Sequence, residues 1–493
     1  MSRTPKNHTG LKVFLILLML VFVAGSAFMI KFCLDLVDAP VDRKPGEESI
    51  LELPTAPEVT EEPTVPETTL PVPEHVVSTA TIVSTGDLLM HMPVINTCWK
   101  DGGYNFDSIF RYLGGYVSDA DLAVANLETT LAGTDNGYGY SGYPNFNCPD
   151  ALVTSAKDAG FDLLLNANNH SYDTSSIGMH RTIRILKEQG LDYLGIVDTD
   201  EEKRYQVKEI NGINIGMIAY TYETSTSPDS VALNGLPVRA EDKALVNAFD
   251  ETNLEPFYNE LAGHLESMKA DGAEATVLYI HWGIEYHLTE NAKQNEIAQK
   301  LCDMGIDVII GGHPHVVQPM ELLQSTVDPD HKTVCLYSMG NAVSNQRQGN
   351  LTAISTPHTE DGVLFSVTFS KYSDGTVYLE STDLIPMWVM RRSDATGNEY
   401  NMLPLDIERE AEWKELFNMQ DYHVTSAKNS YDRTMAIVGE GLTDCQTWLE
   451  QSYNDREEYY YDLAFFPEKF ATEATEAVTE ATEEATEETT AEN

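Results

Sequence analysis

Cysteine is scarce in this chain. The six residues Cys33, Cys98, Cys148, Cys302, Cys335 and Cys445 are scattered, with no Cys-x-x-Cys pair. That pattern carries neither a disulfide framework nor a thiolate zinc site, although one bridge, such as Cys98 to Cys148, stays open for a protein outside the cytoplasm. Basic residues are also few: 31 Lys and Arg stand against 78 Asp and Glu, a formal net charge of −47. Phosphate recognition on a nucleic acid needs a basic footprint, so the balance argues against nucleic-acid binding. Both ends lack the composition of a packed core, which makes the globular part shorter than the 493 residues suggest.

What is present divides the chain into six parts. Residues 1–11 read as a cytoplasmic N-terminus carrying Arg3 and Lys6. Residues 12–32 read as a transmembrane signal anchor, because the apolar stretch from Leu11 to Ile30 is long enough to span a bilayer. A cleaved signal peptide is the competing reading, since Gly25-Ser26-Ala27 offers small residues after an apolar core. Either way the rest is expected outside the cytoplasm, on a single-pass protein of the cell membrane with an extracellular C-terminal domain. Residues 33–77 are a Pro/Thr/Glu-rich linker, 78–405 the main domain, 406–466 a helical C-terminal extension, and 467–493 an acidic Ala/Thr/Glu tail expected to be disordered.

Within the main domain, short β-branched runs alternate with helical periodicity, which predicts an α/β architecture. The strands are expected at 79–85, 121–126, 161–166, 213–220, 275–280, 307–311, 333–338 and 363–370. Helices are expected at 150–159, 175–189, 257–270 and 291–304, the second and fourth running into Gly190 and Gly305. Asn211-Gly212 is a hairpin signal, so the sheets are mixed. Residues 381–404 read as extended.

The unusual polar residues follow these strands one after another. Asp87 and His91 follow the first and Glu128 the second; Asn168, Asn169 and His170 follow the third. His281 ends the strand at 275–280 and leads into Glu285 and His287, while His313 and His315 follow the strand at 307–311. Strand carboxyl ends are where α/β sheets gather ligands, so five loops are expected to meet in one crevice. Imidazole, carboxylate and amide oxygen without thiolate suit two divalent ions of Mn, Fe or Zn type, able to clamp both oxygens of a phosphoryl displacement. Taken singly, Gly86-Asp87 is a common turn and His281 a satisfied core histidine; only Gly-Gly-His-Pro-His favours a metal on its own.

The stretches STGDLLMH, ANLETTL, NANNHSYD, HWGIEYH, GGHPHVVQP, LYSMGNAVS and IPMWV resemble the CapA-type poly-gamma-glutamate capsule synthesis proteins, a branch of the calcineurin-like metallophosphoesterase superfamily. The resemblance implies a metallophosphoesterase sandwich of mixed sheets flanked by helices. It implies metal ligation by Asp87, Glu128, Asn169, His281, His313 and His315, with Glu128 bridging, and general-acid catalysis by His170. His91, Asn168, Asp173, Glu285, His287 and Asn341 rank behind these, Asp173 and Asn341 as orienting groups. Two departures from the superfamily pattern stand out: no histidine sits two residues after Asp87, and the bridging carboxylate is a glutamate in Asn-Leu-Glu. The implied partners are the membrane, other membrane-bound capsule-synthesis subunits, and an anionic capsule polymer or phosphorylated envelope precursor. The alternatives are a generic extracellular metal-dependent phosphoesterase and a non-catalytic capsule assembly subunit.

Overall fold

The computed structural model describes residues 72–470, apart from 136, 226, 228–229, 351–354, 395–396 and 468. The expected membrane helix, most of the linker and nearly all of the acidic tail lie outside the described residues. Among the described residues, no helix is long and apolar enough to cross a membrane.

Two sheets form the centre of the molecule. In chain order their strands are β1 (Val76–Leu88), β2 (Leu122–Asn126), β3 (Leu163–Leu165), β4 (Asp192–Leu194), β5 (Tyr205–Ile210), β6 (Ile213–Tyr222), β7 (Ala248–Phe249), β8 (Ala275–His281), β9 (Val308–Gly312), β10 (Met320–Gln324), β11 (Lys332–Leu336), β12 (Asn341–Val343), β13 (Asp361–Tyr372), β14 (Val377–Asp394) and β15 (Gly397–Pro404). The first sheet runs β15-β14-β13-β1-β2-β3-β4, with β12 pairing parallel to the end of β1. The second runs β7-β6-β8-β9-β11-β10, with β5 on the flank of β6.

Strands β1 to β4 are mutually parallel, as are β6, β7, β8, β9 and β11. The inner strands β2 and β9 are buried at every position, as expected for strands covered on both faces. The antiparallel pairs are hairpins and edges. Asn211 (φ 51°) and Gly212 (φ 81°) make the two-residue turn from β5 to β6, a left-handed pair that asparagine and glycine tolerate. The extended stretch at 381–404 is the β14–β15 hairpin.

The facing sides of the sheets interdigitate. Ile82, Val124 and Leu163 from one pack with Met217, Val277 and Ile310 from the other, and Ser84 Oγ lies 3.0 Å from Tyr279 Oη across the interface. On the outer faces lie α1 (Ala151–Asp158) and α2 (Ser175–Gln189), then α3 (Glu255–Ala270) and α4 (Ala292–Asp303). Helix α2 stops at Gly190, which caps it in the left-handed conformation. Helix α4 starts on a capping box between Asn291 and Gln294. The result is the mixed, two-sheet sandwich with flanking helices that the sequence led us to expect.

The C-terminal extension is helical and belongs to the core. After short turns at Ile407–Glu412 and Trp413–Leu416, α5 (Asp421–Phe465) lays Val438, Leu442 and Cys445 against the inter-sheet layer. Its polar anchor is Asp361, which accepts from Ser430 Oγ at 2.6 Å and from Arg433 at 2.9 and 2.7 Å. Cys98 and Cys148 are both buried free thiols, so the bridge left open by the sequence is not formed.

Candidate metal centre

Parallel pairing brings the carboxyl ends of both sheets to one edge. Asp87 sits where β1 meets Asn126 of β2 and Asn341 of β12 in register, and His281 pairs with Gly312 at the ends of β8 and β9. Glu128 lies just after β2, Asn169 and His170 after β3, and His313 and His315 after β9. All seven are buried, Asp87 and Glu128 completely.

Two overlapping groups result. Donor atoms of Glu128, His281 and His313 lie within 4.8 Å of one another, as do those of Asp87, Glu128 and His315. Glu128 is common to both. Its two oxygens face different histidines, Oε1 at 3.5 Å from His281 Nε2 and Oε2 at 3.9 Å from His315 Nδ1. His315 Nδ1 also lies 3.2 Å from Asp87 Oδ2, and His281 Nε2 lies 2.8 Å from Asn169 Oδ1.

The donors fit cations. Buried polar groups are normally hydrogen-bonded, yet both carboxylate oxygens of Glu128 and Nδ1 of His313 are buried without a hydrogen-bond partner among the described residues. Burial raises Glu128 well above its ordinary value, and the charge of Asp87 adds to the effect. Asp87 goes the other way: burial pushes it up, but His315, His281 and Asn126 outweigh that and lower it. Burial also drives His281 down to about 3 and His313 well below its usual value, so both offer neutral imidazole. A divalent ion on each side of Glu128 would relieve the unpaired carboxylate.

The loop bearing His313 and His315 is strained. Both residues have positive φ, 97° and 57°, each costing roughly 1–3 kcal/mol for a side chain with a Cβ. A Cβ at Gly311 would run into the carbonyl oxygen of Tyr337, whereas at Gly312 it would make ordinary contacts with Asp87 and His281. The close approach of backbone therefore belongs to Gly311.

The remaining sequence candidates separate into supports and bystanders. Asp173 Oδ2 is 2.7 Å from His170 Nδ1 and also accepts from the Phe146 amide at 2.6 Å. Asn168 donates to Asn126 and to the Leu127 carbonyl, and its side-chain oxygen accepts the His170 amide. Asn341 donates to the His315 carbonyl at 3.2 Å. His91 stacks edge-on against Phe146, which does the same against His170; burial lowers His91 to about 4. Glu285 is half-buried and acts on Glu128 only through its charge, and His287 is exposed.

Several participants were not singled out from the sequence. Asn126 donates to Asp87 Oδ1 at 2.8 Å, and Asn234 donates to Asp173 Oδ1 at 3.1 Å. Tyr222 packs on His313 with ring centroids 4.7 Å apart. Asn126 could have been found, since it ends a strand two residues before Glu128. Asn234 opens the Asn234-Gly235 turn of a short hairpin, a motif that marks a turn but gives no sign of a contact with Asp173.

The segment that carries both groups is also the one in which the chain is similar to known proteins. The family model for "Bacterial capsule synthesis protein PGA_cap" matches residues 81–346, the span that contains every residue of both groups. The chain is 28% identical over 263 residues to the PGA biosynthesis protein CapA of Bacillus subtilis, covering 53% of this chain and 62% of that protein. It is 25% identical over 316 residues to the capsule biosynthesis protein CapA of Bacillus anthracis, covering 64% of this chain and 68% of that one. A shorter match, 30% over 129 residues, is to the uncharacterized protein y4sH of Sinorhizobium fredii, 25% of this chain and 26% of that protein. With a family match across more than half of its length, the chain belongs to the bacterial capsule synthesis protein family PGA_cap.

Proposed function

We propose that this is a membrane-anchored, cell-surface protein that serves synthesis, export or anchoring of an anionic capsule polymer such as poly-gamma-glutamate, through a two-metal, phosphoesterase-like site. The observation that carries the reading is the shared, unpaired Glu128 between two donor groups. Glu128, Asn169, His281 and His313 would hold one ion, and Asp87, Glu128 and His315 the other. Bound divalent cations supply Lewis acidity and neutralise the charge of a phosphoryl group.

The chain's own groups define the rest. Asp173 engages Nδ1 of His170, which leaves Nε2 to give a proton to a departing oxygen or to steady charge developing there. Asn126 and Asn168 tie Asp87 to the His170 loop through side-chain hydrogen bonds, holding the Asp87 side of the site in fixed relation to His170. The capsule role is supported by family membership and by the names of the two Bacillus relatives. The test compares surface polymer in a deletion strain complemented with wild type or with Asn169→Ala. Rescue by wild type alone is expected; rescue by both contradicts a metal-dependent role.

A further inference from the structure

A second polar cavity, of about 560 Å³, opens between the first turns of α5, the strand β14 and the segment that leads into β13. Its wall carries Arg347, Arg391, Arg433, His423, Asn429 and Trp388. Three arginines converging on one cavity are out of place in a chain with 78 acidic and only 31 basic residues. Two of them are held in place: Arg347 pairs with Glu360 at 2.5 Å and donates to the Val389 carbonyl at 2.6 Å, and Arg433 forks onto Asp361. Arg391 differs. It is exposed and rests on the Tyr400 ring at 6.0 Å, and it has no carboxylate partner among the described residues.

His423 supplies an independent indication. It is 2% exposed, and its Nδ1 accepts the amide of Gln420 at 3.3 Å, which places the ring proton on Nε2. That N–H is buried without a hydrogen-bond partner among the described residues. An unpaired buried donor is costly unless a ligand answers it. His423 also stands in the first turn of a 45-residue helix, whose amide dipoles favour negative charge at that end.

We propose that this cavity is an oxyanion-binding site that holds a carboxylate or phosphate group of an acidic chain, through Arg391 and the donors around it. Arginine's planar fork suits both groups, and with Arg347 paired to Glu360 and Arg433 to Asp361 the charge left for a ligand is that of Arg391. The cavity adjoins the metal centre by one wall: Asn341 donates both to the His315 carbonyl and to the carbonyl of Thr359, next to Glu360. Binding in this cavity is independent of any phosphoesterase activity at the metal centre.

The test is calorimetric titration of the full chain with short γ-linked oligoglutamate, with its γ-linked oligoglutamine counterpart, and with inorganic phosphate. Oligoglutamate or phosphate is expected to bind and oligoglutamine not. Arg391→Gln should weaken binding by about tenfold, as loss of one charge-assisted contact does, with Arg391→Lys intermediate. His313→Ala, which alters the metal centre, should leave this affinity unchanged. Displacement of oligoglutamate by phosphate would identify phosphoryl oxygens as sufficient, and failure to displace would identify the carboxylate chain; both outcomes support the site. Equal affinities of wild type and Arg391→Gln, equal binding of oligoglutamine, or loss of binding in His313→Ala alone would overturn it. Asn429→Leu, which leaves Arg391 in place, is a second variant expected to weaken binding.

Discussion

His281 Nε2 and Asn169 Oδ1 lie 2.8 Å apart although 112 residues separate them in sequence. One sits at the end of a strand in the second sheet and the other follows a strand of the first, so the contact exists only because the two sheets meet at their carboxyl edges. An imidazole nitrogen and an amide oxygen this close together, beside an unpaired carboxylate, are donors that one cation could share.

Asn169→Ala therefore removes a donor from the group around His281 and His313. The expected outcome is a loss of metal affinity of at least about tenfold at that position, with the fold intact. Competition against a metallochromic chelator measures it.

Asp173 holds His170 by its Nδ1, so Asp173→Asn should disturb proton delivery without emptying the centre. Where a phosphoesterase assay is established, turnover should fall by roughly 10²-fold while metal content stays at the wild-type level. Loss of metal together with turnover would reassign Asp173 as a structural element of the centre.

Much of this was legible in the sequence because the chemistry repeats with the topology. Parallel strands end in loops on one side, and Asp87, Glu128, His281 and His313 each fall just at or after a short apolar run, so counting along the chain located them. The α/β architecture followed from the same alternation, whereas the two-sheet sandwich was implied only by the family resemblance. What the sequence could not supply were contacts made by side chains far away in the chain. Asn234 reaches Asp173 from a turn 61 residues on, and Arg433 reaches Asp361 from 72 residues on. His287 resembled a candidate because it sits in His-Trp-Gly-Ile-Glu-Tyr-His, but the turn after β8 leaves it exposed.

The raised Glu128 gives a pH prediction. Its carboxyl holds a proton in the metal-free protein across a window from its ordinary value of 4.5 upward, whereas His281, pushed down to about 3, is already neutral there. Metal binding within that window must displace the Glu128 proton, so affinity rises with pH and levels off once the raised value is passed. Calorimetry over a pH series in two buffers of different ionisation enthalpy should report proton release on metal binding that declines as pH rises. No release would mean that Glu128 is ionised before metal arrives.

Gly441 tests how α5 is seated. Alanine favours a helix over glycine by about 1 kcal/mol, so an isolated helix would gain from Gly441→Ala. Here a Cβ would run into the carbonyl oxygen of Met320 on β10, and overpacking against backbone costs roughly 1–3 kcal/mol. The variant is expected to melt at a lower temperature than wild type; a higher melting temperature would show that α5 does not dock as described.

A two-metal centre needs Glu128 as the shared ligand, and elemental analysis of the full chain reconstituted with Mn, Fe or Zn addresses this directly. About two ions per chain are expected for wild type and for His170→Ala, and fewer than one for Glu128→Ala. Fewer than one ion per wild-type chain, or two ions retained by Glu128→Ala, would contradict a two-metal centre built on that residue.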